Sequence, residues 1–262
     1  MTHTFRRDDN HVPYDQNPNA EVAMGNISGS TLWNKFGYNA DVDVGTEVIA
    51  SFGGTFVPLT TASTLSIVST SGEDAAAQTG AFNVVITGVD ANRKSQVEVI
   101  TMTGVTPVVT TTTWLGINRM AVYLSGTALN NVGTITATAV TGSAIQAQMP
   151  ATEGTTQQCI FFVQAGYQFL AEWLTVNTLK ITGQGSQNPL ITVKGWVYSA
   201  VSGSKYEVFR TSLDTSITNF EALTPPLPFP VTESSCFWLE ATSDKVDATV
   251  NARFSGIERI ID

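Results

Sequence analysis

The sequence predicts an all-β chain: two consecutive antiparallel β-sandwich (jelly-roll-like) domains preceded by an extended N-terminal arm. Three observations predict it. Short runs in which apolar and polar residues alternate recur along the chain, and a period of two is the signature of a strand with one buried face. Clusters of Gly, Asn and Ser separate these runs at intervals of ~8–12 residues, as in sandwiches and barrels. No amphipathic window is long enough for the crossover helices of a parallel α/β sheet.

The clearest element is the stretch Ser71–Gly104. In its first strand Phe82, Val84 and Ile86 alternate with Asn83, Val85 and Thr87. In its second, Val97, Val99 and Thr101 alternate with Gln96, Glu98, Ile100 and Met102. Gly88 to Lys94 lies between them and supplies the Gly, Asp and Asn that tolerate tight-turn angles.

In chain order, residues 1–40 read as an arm. Pro13, Pro18 and single apolar residues such as Phe5, Tyr14, Leu32, Trp33 and Phe36 occur there without a sustained period. Such a segment needs its own domain or a neighbouring subunit to lie on. Residues 41–149 form the first predicted sandwich, with strands at 47–51, 65–69, 81–87, 96–103, 108–112, 120–124 and 134–140. The Pro-Gly-Thr stretch Pro150–Thr156 marks the boundary. Residues 150–262 form the second sandwich, with strands at 158–163, 167–176, 178–182, 190–198, 206–211, 236–241 and 248–254. There Phe169, Ala171 and Trp173 are expected on one face, and Trp196 with Tyr198 on another. The Pro225–Pro230 run must be a loop or an edge, because proline cannot donate to a ladder.

Composition excludes several function classes. Charged residues are 13% of the 262, about half the usual share, and the formal net charge is −9. Without a dense Lys/Arg cluster, neither nucleic-acid phosphates nor an anionic membrane is an expected partner. The first residues lack the apolar core of a secretory signal, and no apolar run approaches the ~20 residues of a spanning helix, so a cytoplasmic site of synthesis is expected. Cys159 and Cys236 are expected to be buried free thiols, with a disulfide between neighbouring strands as the alternative.

No set of residues announces catalysis. His3 and His11 both lie in the arm, so neither a zinc site nor a nucleophile–histidine pair is expected. Asp41, Asp43 and Glu47 bring three carboxylates close in sequence but lack the twelve-residue calcium-loop pattern, and a turn is the preferred reading. Glu172, Glu207 and Glu240 could be considered for glycoside hydrolysis, and Trp173, Trp196 and Trp238 for sugar stacking. Core or surface packing is the preferred reading of each. No cofactor motif is present.

The segments Gly25–Glu47 and Ser66–Gly104, with Lys35-Phe36-Gly37-Tyr38-Asn39 and the Gly88-Val89-Asp90 turn, resemble a family of virion structural proteins of tailed bacteriophages, notably those of aquatic bacteria. The resemblance covers roughly the first half. Further on, Phe162 to Tyr167 is similar to the family's Val-Pro-Ala-Gly start of a second sandwich, with Gln164 in place of Pro; Val48-Ile49-Ala50 lacks the usual aromatic. The resemblance implies a non-enzymatic virion protein assembled in the host bacterial cytoplasm. The expected role is a capsid decoration or cement protein, a homo-oligomer with a trimer as the expected order. It would bind major capsid protein through Trp33, Lys35, Phe36 and Tyr38. A neck or tail adaptor, hub or fibre anchor is the alternative, and a carbohydrate-binding or depolymerising tail protein a further one.

Overall fold

The computed structural model describes residues 18–179, 188–217, 220–223 and 229–261. The chain is all-β, 57% strand with almost no helix. After one short helix, α1 (Pro18–Ala23), come β1 (Ser30–Val42), β2 (Glu47–Val48), β3 (Leu65–Ser69), β4 (Ala81–Asp90), β5 (Ser95–Thr101), β6 (Val108–Val109), β7 (Trp114–Ser125), β8 (Ile135–Ala139) and β9 (Ile145–Met149). The second half contributes β10 (Ile160–Phe162), β11 (Tyr167–Leu179), β12 (Leu190–Ser199), β13 (Ser204–Asp214), β14 (Phe220–Leu223), β15 (Phe229–Val231), β16 (Ser235–Ser243) and β17 (Ala248–Ile260).

These strands form four antiparallel sheets among the described residues. Their orders are β1-β17-β11-β14 with β15 also on β11, β10-β16-β12-β13 with β2 on β16, β6-β3-β8-β9, and β5-β4-β7. One core joins the inner faces of the first two sheets, through Val42, Phe161, Phe169, Val193, Leu239 and Phe254. A second joins the other two, through Leu65, Ile67, Ile86, Trp114, Met120 and Met149. A third cluster stitches the halves together: Val89 and Leu115 from the first pack with Phe56, Phe162 and Trp238. Phe56 meets Phe162 and Trp238 edge-on, with centroids 6.3 and 5.7 Å apart. Each such buried ring contributes about 1.5–3 kcal/mol, so the two cores are welded rather than tethered.

The hairpin expected around Gly88 is β4 and β5, paired from Asn83↔Thr101 to Val89↔Ser95. Val84, Ile86, Ile100 and Met102 face the core, while Val97 and Val99 of β5 point outward. The stretch before β4 folds around Asp74, which is fully buried and completely satisfied. Its carboxylate accepts from Ser69 Oγ at 2.6 Å and from the N–H groups of Ala81, Val132 and Gly133 at 2.8–2.9 Å. Two nearby segments and one 58–59 residues away thus close on one side chain.

Two expectations need correction. The segment expected to be an arm through Ala40 is, from Ser30 onward, the strand β1, paired with β17 from Ser30↔Arg259 to Val42↔Ala248. Its inward positions are Lys35, Gly37 and Asn39, all buried. Polar and glycine residues on the buried face erase the apolar alternation that normally betrays a strand. Gly37 is required there because a Cβ would collide with the Ile49 carbonyl and the Cys159 amide. Consequently β1 and β2 belong to the sheets built by the second half, although they precede the boundary at Pro150. Residues 1–17, with His3 and His11, lie outside the described residues.

The second correction concerns Trp173. Phe169 and Ala171 are buried on one face, but a bulge between Ala171 and Trp173 shifts the register. Leu174 and Val176 take the inward positions, and Trp173 turns to the outer face. The proline-rich run is an edge where it is described, as expected: Phe229–Val231 is a short strand paired with β11 alone, with Pro230 opposite Leu170. Cys159 and Cys236 are free and buried, as the sequence suggests.

Candidate subunit-binding groove

Lys35 decides the geometry of this region. The β1 pleat turns it inward, and its ammonium reaches across the junction to donate to the main-chain carbonyl of Asn118 on β7. Asn118 clamps the junction further. Its Nδ2 donates to the Phe162 carbonyl at 3.0 Å and its Oδ1 accepts from the Phe162 N–H at 2.7 Å, so an amide side chain imitates one rung of a ladder. Gln158 Nε2 adds a bond to the Ile117 carbonyl at 2.9 Å. Burial pulls the Lys35 ammonium down to about 8; the Cys159 thiol opposes this and Arg119 reinforces it.

Beside this junction runs a groove of about 580 Å³. One wall is the stretch 31–36 of β1, the other is Asn118, Arg119, Thr155 and Thr156, and Arg253 of β17 closes it. Arg119 Nε donates to Thr155 Oγ1 at 3.2 Å, and an Arg253 amino group donates to Asn34 Oδ1 at 3.4 Å. The Arg253 guanidinium also lies 5.6 Å from the Trp173 ring centroid. Among the described residues, no carboxylate forms an ion pair with Lys35, Arg119 or Arg253. A chain with net charge −9 therefore carries a local concentration of unneutralised positive charge.

Of the four residues expected to bind a subunit, Trp33, Lys35 and Phe36 line this groove, and Tyr38 does not. Phe36 is 44% exposed on the outer face, opposite Arg253. Trp33 is half core: its ring lies 5.0 Å from Phe161, and its Nε1 donates to Glu258 Oε2 at 3.1 Å. Burial raises Glu258 above the usual carboxylate range, against its hydrogen bonds from Gln164 and Trp33. Nothing in the residue pattern marks Asn118, Arg119 or Arg253 as partners of β1. They lie more than 80 residues from the stretch 31–36; the antiparallel pairing of β17 with β1 brings Arg253, and the Lys35–Asn118 junction brings Arg119 on β7.

The other candidates separate cleanly. Asp41 and Asp43 do come together, but with Asp247 rather than Glu47; their carboxylate oxygens lie within 4.8 Å of one another, all exposed. Glu47 instead closes the turn, accepting from the N–H groups of Asp43 and Gly54 at 3.0 Å and from Asn39 Nδ2 at 3.2 Å. Partial desolvation of Glu47 works against these bonds, yet they hold its pKa below the usual value. Asp41 is raised by desolvation, a hydrogen bond with Asp247 and the charges of Asp43, Asp247 and Glu47.

Trp238 is buried and donates to Glu240 Oε1 at 2.8 Å, while Lys205 caps both Trp196 and Trp238, at 4.3 and 4.9 Å from their centroids. Those rings offer no open platform to a sugar. Glu172 accepts from Asn19 Nδ2 at 2.9 Å, and Glu207 is bound by Arg210 at 2.8 Å, so the three glutamates are engaged separately.

No family model matches the chain, and no characterised protein matches it by sequence. Among solved structures it overlaps weakly with that of infectious bursal disease virus Gx strain, at 11% identity and a TM-score of 0.21, covering 93% of this chain and 78% of that one. The infectious bursal disease virus VP2 subviral particle overlaps at 8% identity and a TM-score of 0.20, over 94% and 83% of the two chains. Overlaps this slight carry no argument about fold or role.

Proposed function

We propose that this chain is a non-enzymatic structural protein of a virion, of the tailed-phage type that its first half resembles, and that it works by gripping other subunits. The observation that carries the reading is the groove beside β1. It is lined by two aromatics and by three cations that have no carboxylate ion-pair partner among the described residues, and most of its wall stands on strands β1, β7 and β17. A surface of that kind suits docking, and its positive charge would steer an acidic partner into place. The outer face of β5-β4-β7 adds exposed Val97, Val99, Tyr123 and Leu124, with Arg119, midway along β7, lining the groove.

In this reading the two sheet pairs are two sandwiches, the second jelly-roll-like. Four sheets could also be counted as four blades, but each of the two main cores joins only two sheets, which favours pairing. The role we favour is capsid decoration, with the groove facing major capsid protein or a sister subunit. Copy number in purified particles tests it. Hundreds of copies per particle are expected for a decoration protein, a dozen or fewer would move it to the neck or tail, and absence from particles would end the reading.

A further inference from the structure

We infer that the groove beside β1 is the receiving half of a head-to-tail contact between copies of this chain, and that the donating half is the exposed Asp41–Asp43–Asp247 end of the same strand. The inference rests on the gripping role proposed above and names its partner.

The receiving half is built to hold carboxylates. Arg119 and Arg253 are exposed, and among the described residues each donates one hydrogen bond to a neutral oxygen, leaving the rest of its guanidinium fork free. A guanidinium fork matches a carboxylate with two parallel bonds. Lys35 is only 6% exposed, and among the described residues its ammonium donates to one main-chain carbonyl, that of Asn118. Charge held in such a sheltered place is screened by salt less than charge on the open surface. Because β1 ends its sheet, its free edge also runs along the groove for the length of 31–36. An extended acidic segment could lie there as an added strand.

The donating half lacks a counter-charge, although Asp43 Oδ1 accepts from the Asp247 N–H at 3.2 Å. Asp41, Asp43 and Asp247 crowd their charges together in solvent, and no cation pairs with them among the described residues. The two halves cannot meet within one copy. Lys35 and Asp41 are six residues apart on a single strand, which places them about 20 Å apart. Three cations at one end of β1 and three carboxylates at the other can therefore neutralise each other only between copies. The contact is heterologous: different patches meet, so it closes into a ring where the rotation permits and grows into a filament where it does not.

A charge exchange on the full chain tests this. One variant carries Arg119→Glu and Arg253→Glu, the other Asp41→Lys and Asp43→Lys; all four positions are exposed, and circular dichroism with a melting curve checks that both variants fold. Sedimentation velocity is run at ~0.05 M and ~1 M salt. The wild type is expected to associate at low salt and dissociate at high salt. Each variant alone should be monomeric, and an equal mixture should associate again, because each variant then offers what the other lacks. A wild type that is monomeric at both salt levels, or folded variants whose mixture stays monomeric, overturns the inference. Incorporation of the Arg119/Arg253 variant into particles then separates the two claims. If it is lost although the wild type is monomeric, the groove grips a different virion protein and the proposed function stands. If it is unchanged, the gripping role of the groove falls as well.

Discussion

The Lys35 ammonium on β1 is bound to the main-chain carbonyl of Asn118 on β7, and this single contact ties the N-terminal strand to the opposite half of the molecule. It sets a charged group in a buried junction beside Cys159, Cys236 and Arg119, none of which is a carboxylate. The arrangement is costly to fold and useful only if the junction must be specific or the charge must be kept at the groove.

That cost is measurable. Lys35 falls from 10.5 to about 8 on folding, chiefly through desolvation. With a folded pKa below the unfolded one, the unfolded chain holds the extra proton between these values, so the Lys35 contribution to stability rises as pH rises from about 8 towards 10.5 and is lost on the way down. The span corresponds to about 3 kcal/mol as an order of magnitude. Burial pushes Cys159 the other way, up to about 12, which lowers stability over the same alkaline range. The comparison must therefore be wild type against Lys35→Met. Urea denaturation of both from neutral pH to ~10.5 should show the difference moving in favour of the wild type; a pH-independent difference would count against the buried charge.

Asn118 should be less replaceable than its neighbours. Asn118→Ala leaves both the N–H and the carbonyl of Phe162 without their partner in a buried junction. Each orphaned group costs about 1–3 kcal/mol, so a loss of at least about 2 kcal/mol is expected. Asn118→Asp should not rescue it, because a carboxylate cannot donate to the Phe162 carbonyl. Equilibrium unfolding of the two variants checks this; full stability in either would show that the clamp is dispensable.

What the sequence revealed and what it hid follow from the same physics. The hairpin of β4 and β5 was legible because Val84, Ile86, Ile100 and Met102 put apolar side chains on the buried faces. β1 was not, because its buried face carries Lys35, Gly37 and Asn39, whose reasons for burial are long-range: a carbonyl on β7, a tight approach to Ile49 and Cys159, and the turn held by Glu47. Trp173 was misplaced by a bulge that adds one residue and reverses the parity of everything beyond it. Trp33, Lys35 and Phe36 stand out in the sequence as isolated aromatics beside a cation, whereas Arg119 and Arg253 become their neighbours only through the packing of β7 and β17.

Gly37 offers a sharp packing test. Its backbone is not in the left-handed region, so alanine is conformationally acceptable, yet the added Cβ would meet the Ile49 carbonyl and the Cys159 N–H and Sγ. β1 would have to lift from the junction, and a loss of about 3 kcal/mol or more is expected for overpacking against backbone. Gly45→Ala is the control, since a Cβ there meets nothing within 4 Å. Melting curves should separate the two clearly, and equal behaviour would mean that β1 is held more loosely than its register implies.

The acidic end of β1 makes the opposite prediction, a stabilising substitution. Asp41 is raised by desolvation, by its hydrogen bond with Asp247 and by the charges of Asp43, Asp247 and Glu47. A carboxylate whose folded pKa exceeds its unfolded one penalises folding at pH above both, and the penalty disappears as pH falls through the folded value. Asp247→Asn removes one neighbouring charge, so the Asp41 pKa should drop towards the ordinary carboxylate range and the Tm should rise at neutral pH. At ~pH 3 the gain should shrink because the carboxylates are then largely protonated. It should shrink at high salt too, since these groups are exposed. An NMR titration of Asp41 and melting curves of dilute protein, at both pH values and both salt levels, measure each part. If Asp247→Asn instead lowers the Tm at neutral pH, the three carboxylates must be holding something that offsets their repulsion, and a chelator should then lower the wild-type Tm in the same way.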